Sequence, residues 1–365
     1  MTVFRLAEAP IRKLELVFKN DGACFDLKCV VQEVLGQGAY GQVYRLAYHR
    51  DQKLPAVIPE QLAAKIFWDM NNFFEFLSKG PRFFLKELDP LRFSYPLEGF
   101  LNEGYLSEGK KCSRVFLVVI PFFSGKNLFD YTIKEKEGAI TDFSEQKEML
   151  VGFCELVREM HQKKIFHLDI KPENLIFGKD RHVRLVDFDF SCVEETRRRK
   201  LYDGTYNYMA PEILFNNILK IAFSLSWGSV DSCKIAKIKD FAVLPNEKTD
   251  VWSMLVTLFN IFNGIELLSF EKVKIILEGE AEKLLDLCRR DLDKIDDNCH
   301  EFYQLFLERM QNDVKDSIEQ TTKEGKMGFL KDFFLKMIMA DPALRLAADD
   351  ILREVEVAFP EAAVG

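Results

Sequence analysis

No Cys-x-x-Cys pair occurs among the eight cysteines, which stand at 24, 29, 112, 154, 192, 233, 288 and 299. Zinc sites are built on such close pairs, and Cys24 and Cys29 are not followed by a histidine cluster, so the pattern argues against a zinc protein. Scattered cysteines in a long chain fit a reducing compartment, where they serve as small apolar residues. Long hydrophobic runs are missing too. The longest, Val115–Phe123, has nine residues, about half of the ~20 that a membrane-spanning helix needs. The first ten residues lack the apolar core of a signal peptide. A soluble, cytoplasmic protein with no membrane span is expected. An excess of positive charge is also absent: 50 Lys and Arg stand against 58 Asp and Glu, a net charge of −8. That balance argues against a general nucleic-acid or anionic-membrane binder, although Arg197-Arg198-Arg199-Lys200 forms one local basic tract. Internal repeats and low-complexity tracts are absent.

What is plentiful is phenylalanine, 33 residues of it, which predicts a heavily aromatic core. The length, 365 residues, suffices for two cooperating lobes or one large domain. Residues 1–29 show no clear period and read as an N-terminal extension. Strand-like segments follow at Val30–Leu35, Gln42–Tyr48 and Leu62–Phe67, with a fourth at Val115–Phe122. Trp68–Leu88 is helical in composition, interrupted by Gly80-Pro81. Met149, Leu150, Phe153, Leu156, Val157 and Met160 recur at helical spacing and predict a buried helix from about Ser144 to His161. Ile165–Asn174 and His182–Asp187 read as strand-loop-strand, and almost everything after Ala210 as helix and loop. The predicted layout is α+β: a small antiparallel β-rich lobe with one main helix (30–122), then a larger helical lobe (123–356). The boundary falls near Pro121–Gly125.

Gly36-Gln37-Gly38-Ala39-Tyr40-Gly41 spells G-x-G-x-x-G. In a dinucleotide-binding loop these letters open a helix; here the strand-like Gln42–Leu46 follows. A hairpin tip without side chains lets backbone N–H groups approach phosphates, and a plain Gly-rich hairpin is the alternative. Lys65 lies inside the apolar Leu62–Phe67, where burying its charge is costly unless it is paired. After such a hairpin it reads as a phosphate-binding lysine held by a carboxylate; an edge-strand lysine is the alternative.

His167-Leu168-Asp169-Ile170-Lys171-Pro172-Glu173-Asn174 resembles the catalytic loop H-R-D-x-K-P-x-N of Ser/Thr protein kinases. Asp187-Phe188-Asp189 is similar to that family's D-F-G, and Ala210-Pro211-Glu212 reproduces its A-P-E. Asp250-Val251-Trp252-Ser253 and Asp341-Pro342-Ala343-Leu344-Arg345 look like two further family motifs, in family order. The resemblance implies the bilobal kinase fold, ATP and Mg²⁺ as cofactors, and a protein substrate. It makes Asp169 the base and Asn174 and Asp187 the metal ligands. Lys171 would reach the γ-phosphate and Thr205 would bridge towards Asp169 and Lys171. Lys65, with Gly36, Gly38 and Gly41, would hold the phosphates. Val43, Ala63, Ile176 and Val186 would enclose the adenine. Ile120 would control the back pocket, and the Pro121 carbonyl and Phe123 N–H would meet the adenine edge. For Lys65 the family expects a helix glutamate, here Glu87, with Glu75 as the alternative.

Two departures stand out. Leu168 replaces the arginine that normally holds a phosphorylated activation loop. Phosphate on Ser191, Thr196 or Thr205 would then have no partner at this position, so activity without loop phosphorylation is expected. Asp189 replaces the glycine of D-F-G; it reads either as an extra carboxylate shifting metal preference towards Mn²⁺ or as a solvent-facing residue. Segments 216–245 and 270–327 look like insertions that would bind a partner or substrate protein, or simply be solvated helical decoration. Divergent flanks would suit a bacterial effector acting in a host cytoplasm. A pseudokinase scaffold, or a kinase-fold enzyme with nucleotidyl transfer or a non-protein acceptor, are the competing readings.

Overall fold

The protein is described by a computed structural model covering residues 13–20, 23–38, 40–48, 59–79, 85, 87–97, 100–108, 111–194, 205–226, 236–291, 293–323 and 330–358. Two compact units emerge. The first runs to Gly125 and takes in Arg184–Asp189; the second comprises Lys126–Val183 and Phe190 onward.

The first unit is built on alternation. In β1 (Lys13–Asn20), Leu14 and Leu16 are buried while Glu15 is exposed; in β2 (Ala23–Gln37), Leu27, Cys29 and Val31 are buried between exposed Lys28 and Val30. This two-residue period turns one face of each strand inward. The pairing is antiparallel, Leu14 opposite Cys29 and Leu16 opposite Leu27. β3 (Gly41–Tyr48), β4 (Leu62–Phe67), β5 (Phe100–Glu108) and β6 (Lys111–Pro121) complete a closed barrel in the order β1-β2-β3-β4-β6-β5. Every neighbour pair is antiparallel, and β1 closes the ring by pairing with β5. Closure removes both sheet edges, so no row of backbone donors is left open. Helix α1 (Met70–Lys79) lays Phe73 and Phe76, three residues apart, on Phe67 and Val118.

The sequence-based boundary is corrected here. Residues 13–29 are not an extension outside the β-rich unit; they form β1 and the start of β2 and supply its core. β5 was not anticipated at all. Residues 1–12 and most of the Gly80-Pro81 region lie outside the described residues.

In the second unit, β7 (Lys126–Asn127) leads into α2 (Leu128–Glu135) and α3 (Phe143–Gln162), whose N-caps Asn127 and Asp142 accept the N–H of Asp130 (2.7 Å) and Glu145 (2.8 Å). The short β8 (Ile165–Phe166), β9 (Leu175–Phe177) and β11 (Cys192–Val193) belong here, whereas β10 (Val183–Leu185) runs from Val183 into the Arg184–Asp189 stretch of the first unit. α4 (Pro211–Leu225), α5 (Glu247–Asn263), α6 (Phe270–Arg290), α7 (Ile295–Lys323), α8 (Leu330–Met337) and α9 (Ala348–Ala358) follow. α5 is buried at every residue from Thr249 to Asn263, so it is the central rod on which the unit assembles. The phenylalanine excess is spent as expected: Phe215 meets Tyr303 at 4.8 Å and Phe259 meets Phe334 at 5.3 Å. Segment 270–323 is two helices with buried inner faces, Val273, Ile276, Leu277 and Leu284 on α6 among them, rather than solvated decoration. Among the described residues, no helix is long and apolar enough to cross a membrane.

Candidate active site

The glycine hairpin joins β2 to β3, closed by the Gly38 N–H donating to the Gly41 carbonyl at 2.9 Å. Its three glycines are not equivalent. A Cβ on Gly41 would lie 2.1 Å from the Ile66 carbonyl oxygen, whereas one on Gly36 or Gly38 would meet nothing within 4 Å. The fold therefore demands glycine at 41 and leaves 36 and 38 open. We expect Gly41→Ala to lose about 1–3 kcal/mol of stability in denaturant unfolding, the cost of overpacking. Gly38→Ala should stay within about 0.5 kcal/mol of the parent.

Lys65 sits on β4, opposite Val43 of β3 and Val118 of β6. It is 7% exposed. Two aromatic rings line its flank, Phe76 of α1 at 5.4 Å and Phe67 at 6.0 Å from Nζ. Among the described residues its carboxylate partners are Asp187, at 3.7 Å, and Asp189, to which its ammonium donates a hydrogen bond. Burial works to lower the lysine's pKa, but the two carboxylates outweigh it and the result is raised. Desolvation first, then the neighbouring Asp187, push Asp189 up to about 7 against the pull of Lys65. The directions are compatible, because a single ammonium serves two carboxylates. Asp189 is thus not solvent-facing: its side chain is 11% exposed, against 42% for Asp187. Glu87, the expected helix partner, stands exposed on a turn, and the side chain of Glu75 is outside the described residues.

The Asp187-Phe188-Asp189 segment is moored to the first unit by backbone. Leu185 N–H donates to Arg92 O and Ser94 N–H to Leu185 O, both at 2.9 Å, and Phe188 sets its ring edge-on to Phe93 at 6.3 Å. Asp187 itself is left-handed, φ 66°, a conformation that costs a non-glycine residue about 1–3 kcal/mol.

Of the residues read as an adenine seat, Ala63 is buried and pairs with Ile120 in register, and Val43 and Val186 are half-buried on the same unit. Leu62 pairs with Pro121. The Pro121 carbonyl already accepts the Ser94 hydroxyl at 2.7 Å, a contact absent from the sequence reading. A carbonyl carries two acceptor positions, so one remains. Phe123 lies under the Arg184 guanidinium at 5.5 Å. Ile176 belongs to β9 of the second unit, opposite Asn127.

In the second unit the residues of the 167–174 segment converge. Asp169, 6% exposed, has one oxygen 2.8 Å from Lys171 Nζ and 3.1 Å from Asn174 Nδ2; the other accepts the Thr205 hydroxyl at 3.2 Å. Lys171 in turn donates to Thr205 Oγ1 at 2.8 Å, and Asn174 Nδ2 also donates to the Asp169 carbonyl at 2.8 Å. Thr205 Oγ1 thus lies between Lys171 and Asp169. Asp250, fully buried near the start of α5, accepts the backbone N–H of His167 and of Leu168, both at 2.8 Å. Leu168 is 9% exposed and left-handed, φ 65°; the paired carboxylate bonds offset the cost of that turn. Further along, Glu212 meets Arg345 in a fully buried pair at 3.0 Å. Ser191 is buried, and Thr196 with the basic tract 197–200 lies outside the described residues.

Residues 105–227, about a third of the chain, match the protein kinase domain family. Ribosomal protein S6 kinase alpha-2 of Homo sapiens is 26% identical over 198 residues, 54% of this chain and 24% of that protein. Serine/threonine-protein kinase AtPK1/AtPK6 of Arabidopsis thaliana is 29% identical over 185 residues, 50% and 36%. Phosphorylase b kinase gamma catalytic chain, liver/testis isoform, of Bos taurus is 34% identical over 110 residues, 30% and 26%. The chain spans about a quarter to a third of the length of these relatives. It is a relative of the eukaryotic-like Ser/Thr protein kinases.

Proposed function

We propose that this chain is an ATP-dependent Ser/Thr protein kinase, transferring the γ-phosphate of ATP to a hydroxyl of a protein substrate. The observation that carries the reading is the Asp169 carboxylate, held by Lys171, Thr205 and Asn174 at 2.8–3.2 Å. A base that must orient a hydroxyl needs its lone pairs fixed before substrate arrives, and three donors from separate positions do that. Lys171 beside it supplies positive charge for the phosphoryl oxygens. Asn174 and Asp187 each carry a hard oxygen donor of the kind that Mg²⁺ takes. With the Asn174 amide nitrogen committed to Asp169, its oxygen is the atom for a cation. Bound Mg²⁺ would neutralise charge on the transferred group. Mn²⁺ would suit the same donors. Gly36 and Gly38, open where packing demands nothing, suit backbone approach to phosphates, with Lys65 as the cation. Val43, Ala63 and Val186, all on the first unit, would supply apolar surface for adenine.

The reading extends to regulation. Leu168 is apolar and buried, so it offers a phosphorylated loop nothing. The start of that loop is held instead by β11 on β8, by Glu194 N–H on Lys164 O (3.0 Å), and at its other end by Thr205 on Asp169. Activity therefore needs no loop phosphorylation. A protein partner docking on 216–245 or 270–327 would meet folded helices over 270–323.

The test is incubation of phosphatase-treated protein with γ-labelled ATP, Mg²⁺ and a protein lysate, followed by phosphoamino-acid analysis. Label on serine or threonine is the expected result. Nucleotide-dependent thermal shift without transfer would favour a scaffold, transfer of the nucleotidyl group a different chemistry, and loss of activity on dephosphorylation would sink the regulatory part.

A further inference from the structure

We propose that Asp189 is the positioning carboxylate of Lys65, doing from the Asp187-Phe188-Asp189 segment what the family resemblance assigned to a helix glutamate. The inference rests on the kinase reading and names a further residue of that site.

The geometry is one-sided. Lys65 Nζ donates to Asp189, and the wider contact, 3.7 Å, is to Asp187. What α1 presents to Lys65 is the Phe76 ring at 5.4 Å, in an apolar cluster of Phe67, Phe73, Phe76 and Val118. An ammonium 7% exposed in such surroundings requires an anion. Asp189 is the more enclosed of its two partners, 11% exposed against 42%. The division suits two different tasks. The exposed carboxylate stays reachable for a cation, and the enclosed one holds the lysine. Were Asp189 absent, Asp187 would be, among the described residues, the remaining anion for Lys65 and would be drawn from metal duty.

The mooring of the segment makes Asp189 fit for this. Phe188 is 4% exposed and sits on Phe93, and the backbone on either side of Leu185 is bonded to Arg92 and Ser94. Asp189 thus stands one residue past a fixed anchor, on the same unit as β4. Glycine at this position would leave the anchor and remove the carboxylate.

The experiment uses the full chain and reads nucleotide binding separately from turnover. A fluorescent ATP analogue with Mg²⁺ is titrated into wild type, Asp189→Asn, Asp189→Gly, Asp189→Glu, Glu87→Gln and Glu75→Gln. Asp189→Asn and Asp189→Gly should weaken binding roughly tenfold, the size of one lost charge-assisted contact. Asp189→Glu, which keeps the charge, should recover most of that. In steady state the loss should sit in KM for ATP and leave KM for the protein acceptor in place, a split that general loosening of the fold would not produce. Equal affinity in wild type and Asp189→Asn overturns the assignment while leaving the kinase reading intact. So does a larger loss in Glu87→Gln or Glu75→Gln than in Asp189→Asn. Wild type that binds no nucleotide overturns both.

Discussion

Arg345→Ala should cost about 3–5 kcal/mol of stability, the range for breaking a buried ion pair from one side. Both partners are fully buried. The guanidinium meets Glu212 through two parallel bonds, 3.0 Å to Oε1 and 3.1 Å to Oε2. Its remaining donors satisfy three carbonyls: Met339 at 2.8 Å, Lys248 at 2.6 Å and Ala340 at 2.9 Å. Its face lies 5.1 Å from the Trp252 ring. Removing it leaves the Glu212 carboxylate with the Thr249 hydroxyl (3.0 Å), takes a donor from the carbonyls of Met339, Lys248 and Ala340, and opens a cavity against a tryptophan. Attraction between the two charges is not the main contributor to this figure. Most of the loss is the desolvation of what stays behind. The double change Glu212→Gln with Arg345→Met should therefore recover a large part of it, because the orphaned charge is gone. Denaturant unfolding of the two singles and the double decides the matter. A loss under about 1 kcal/mol for Arg345→Ala, or strict additivity in the double, would show that the pair does not act as a unit. Phosphate transfer should fall with the same mutation. Glu212 opens α4 directly after the 205–210 stretch, which Ser253 holds through the Tyr208 carbonyl at 2.8 Å. Loosening α4 therefore frees Thr205 from Asp169.

That pair also shows what a sequence discloses and what it hides. Glu212 and Arg345 were legible as members of two short motifs, yet nothing in either motif says that they touch across 133 positions. Local patterns read well. Leu62–Phe67 was read with the observed limits of β4, and Ser144–His161 falls one residue short of α3 at each end, because apolar periodicity is a property of the segment itself. β5 failed for the opposite reason. Its inward residues within Phe100–Glu108 include Gly104, where a Cβ would lie 2.8 Å from the Glu15 carbonyl oxygen. The residue that admits β1 alongside is the one that erases the hydrophobic signal. The alternation of β1 becomes meaningful only once β5 closes the ring. The contacts among Asp169, Lys171 and Asn174 are local, because the three lie within six residues of one another. Asp189 was legible only as an anomaly. Its partner stands 124 positions away, and the departure from glycine marked the place without telling the direction of the side chain.

Asp169→Asn should lower phosphate transfer by roughly 10²–10⁴-fold, the usual worth of a positioned general base, while nucleotide binding stays near the parent value. The substitution is isosteric, so its structural cost is set by partners rather than packing. Asn174 Nδ2 and the Thr205 hydroxyl can both donate to an amide oxygen, but an amide has one such oxygen where the carboxylate offers two. One of these donors, or Lys171, must then face an N–H. Lys171 loses most, since its ammonium stands 2.8 Å from the carboxylate oxygen. Freed from that anion, it remains bonded to Thr205 Oγ1, so the loop keeps a tether and the melting temperature should move little. On the proposed reading, Lys171→Ala should also cut turnover at nearly unchanged ATP affinity, because the lysine would act on charge that develops during transfer. The two losses should not add: in the double mutant the second change should cost far less than it does alone, as expected of groups working on one transferred proton and phosphoryl group. Thr205→Ser keeps a hydroxyl and should retain most activity, whereas Thr205→Ala removes the donor from Asp169 and the acceptor from Lys171 together. Should Asp169→Asn instead raise KM for ATP while kcat holds, the carboxylate would be part of the nucleotide's binding surface, and the base would have to be sought elsewhere.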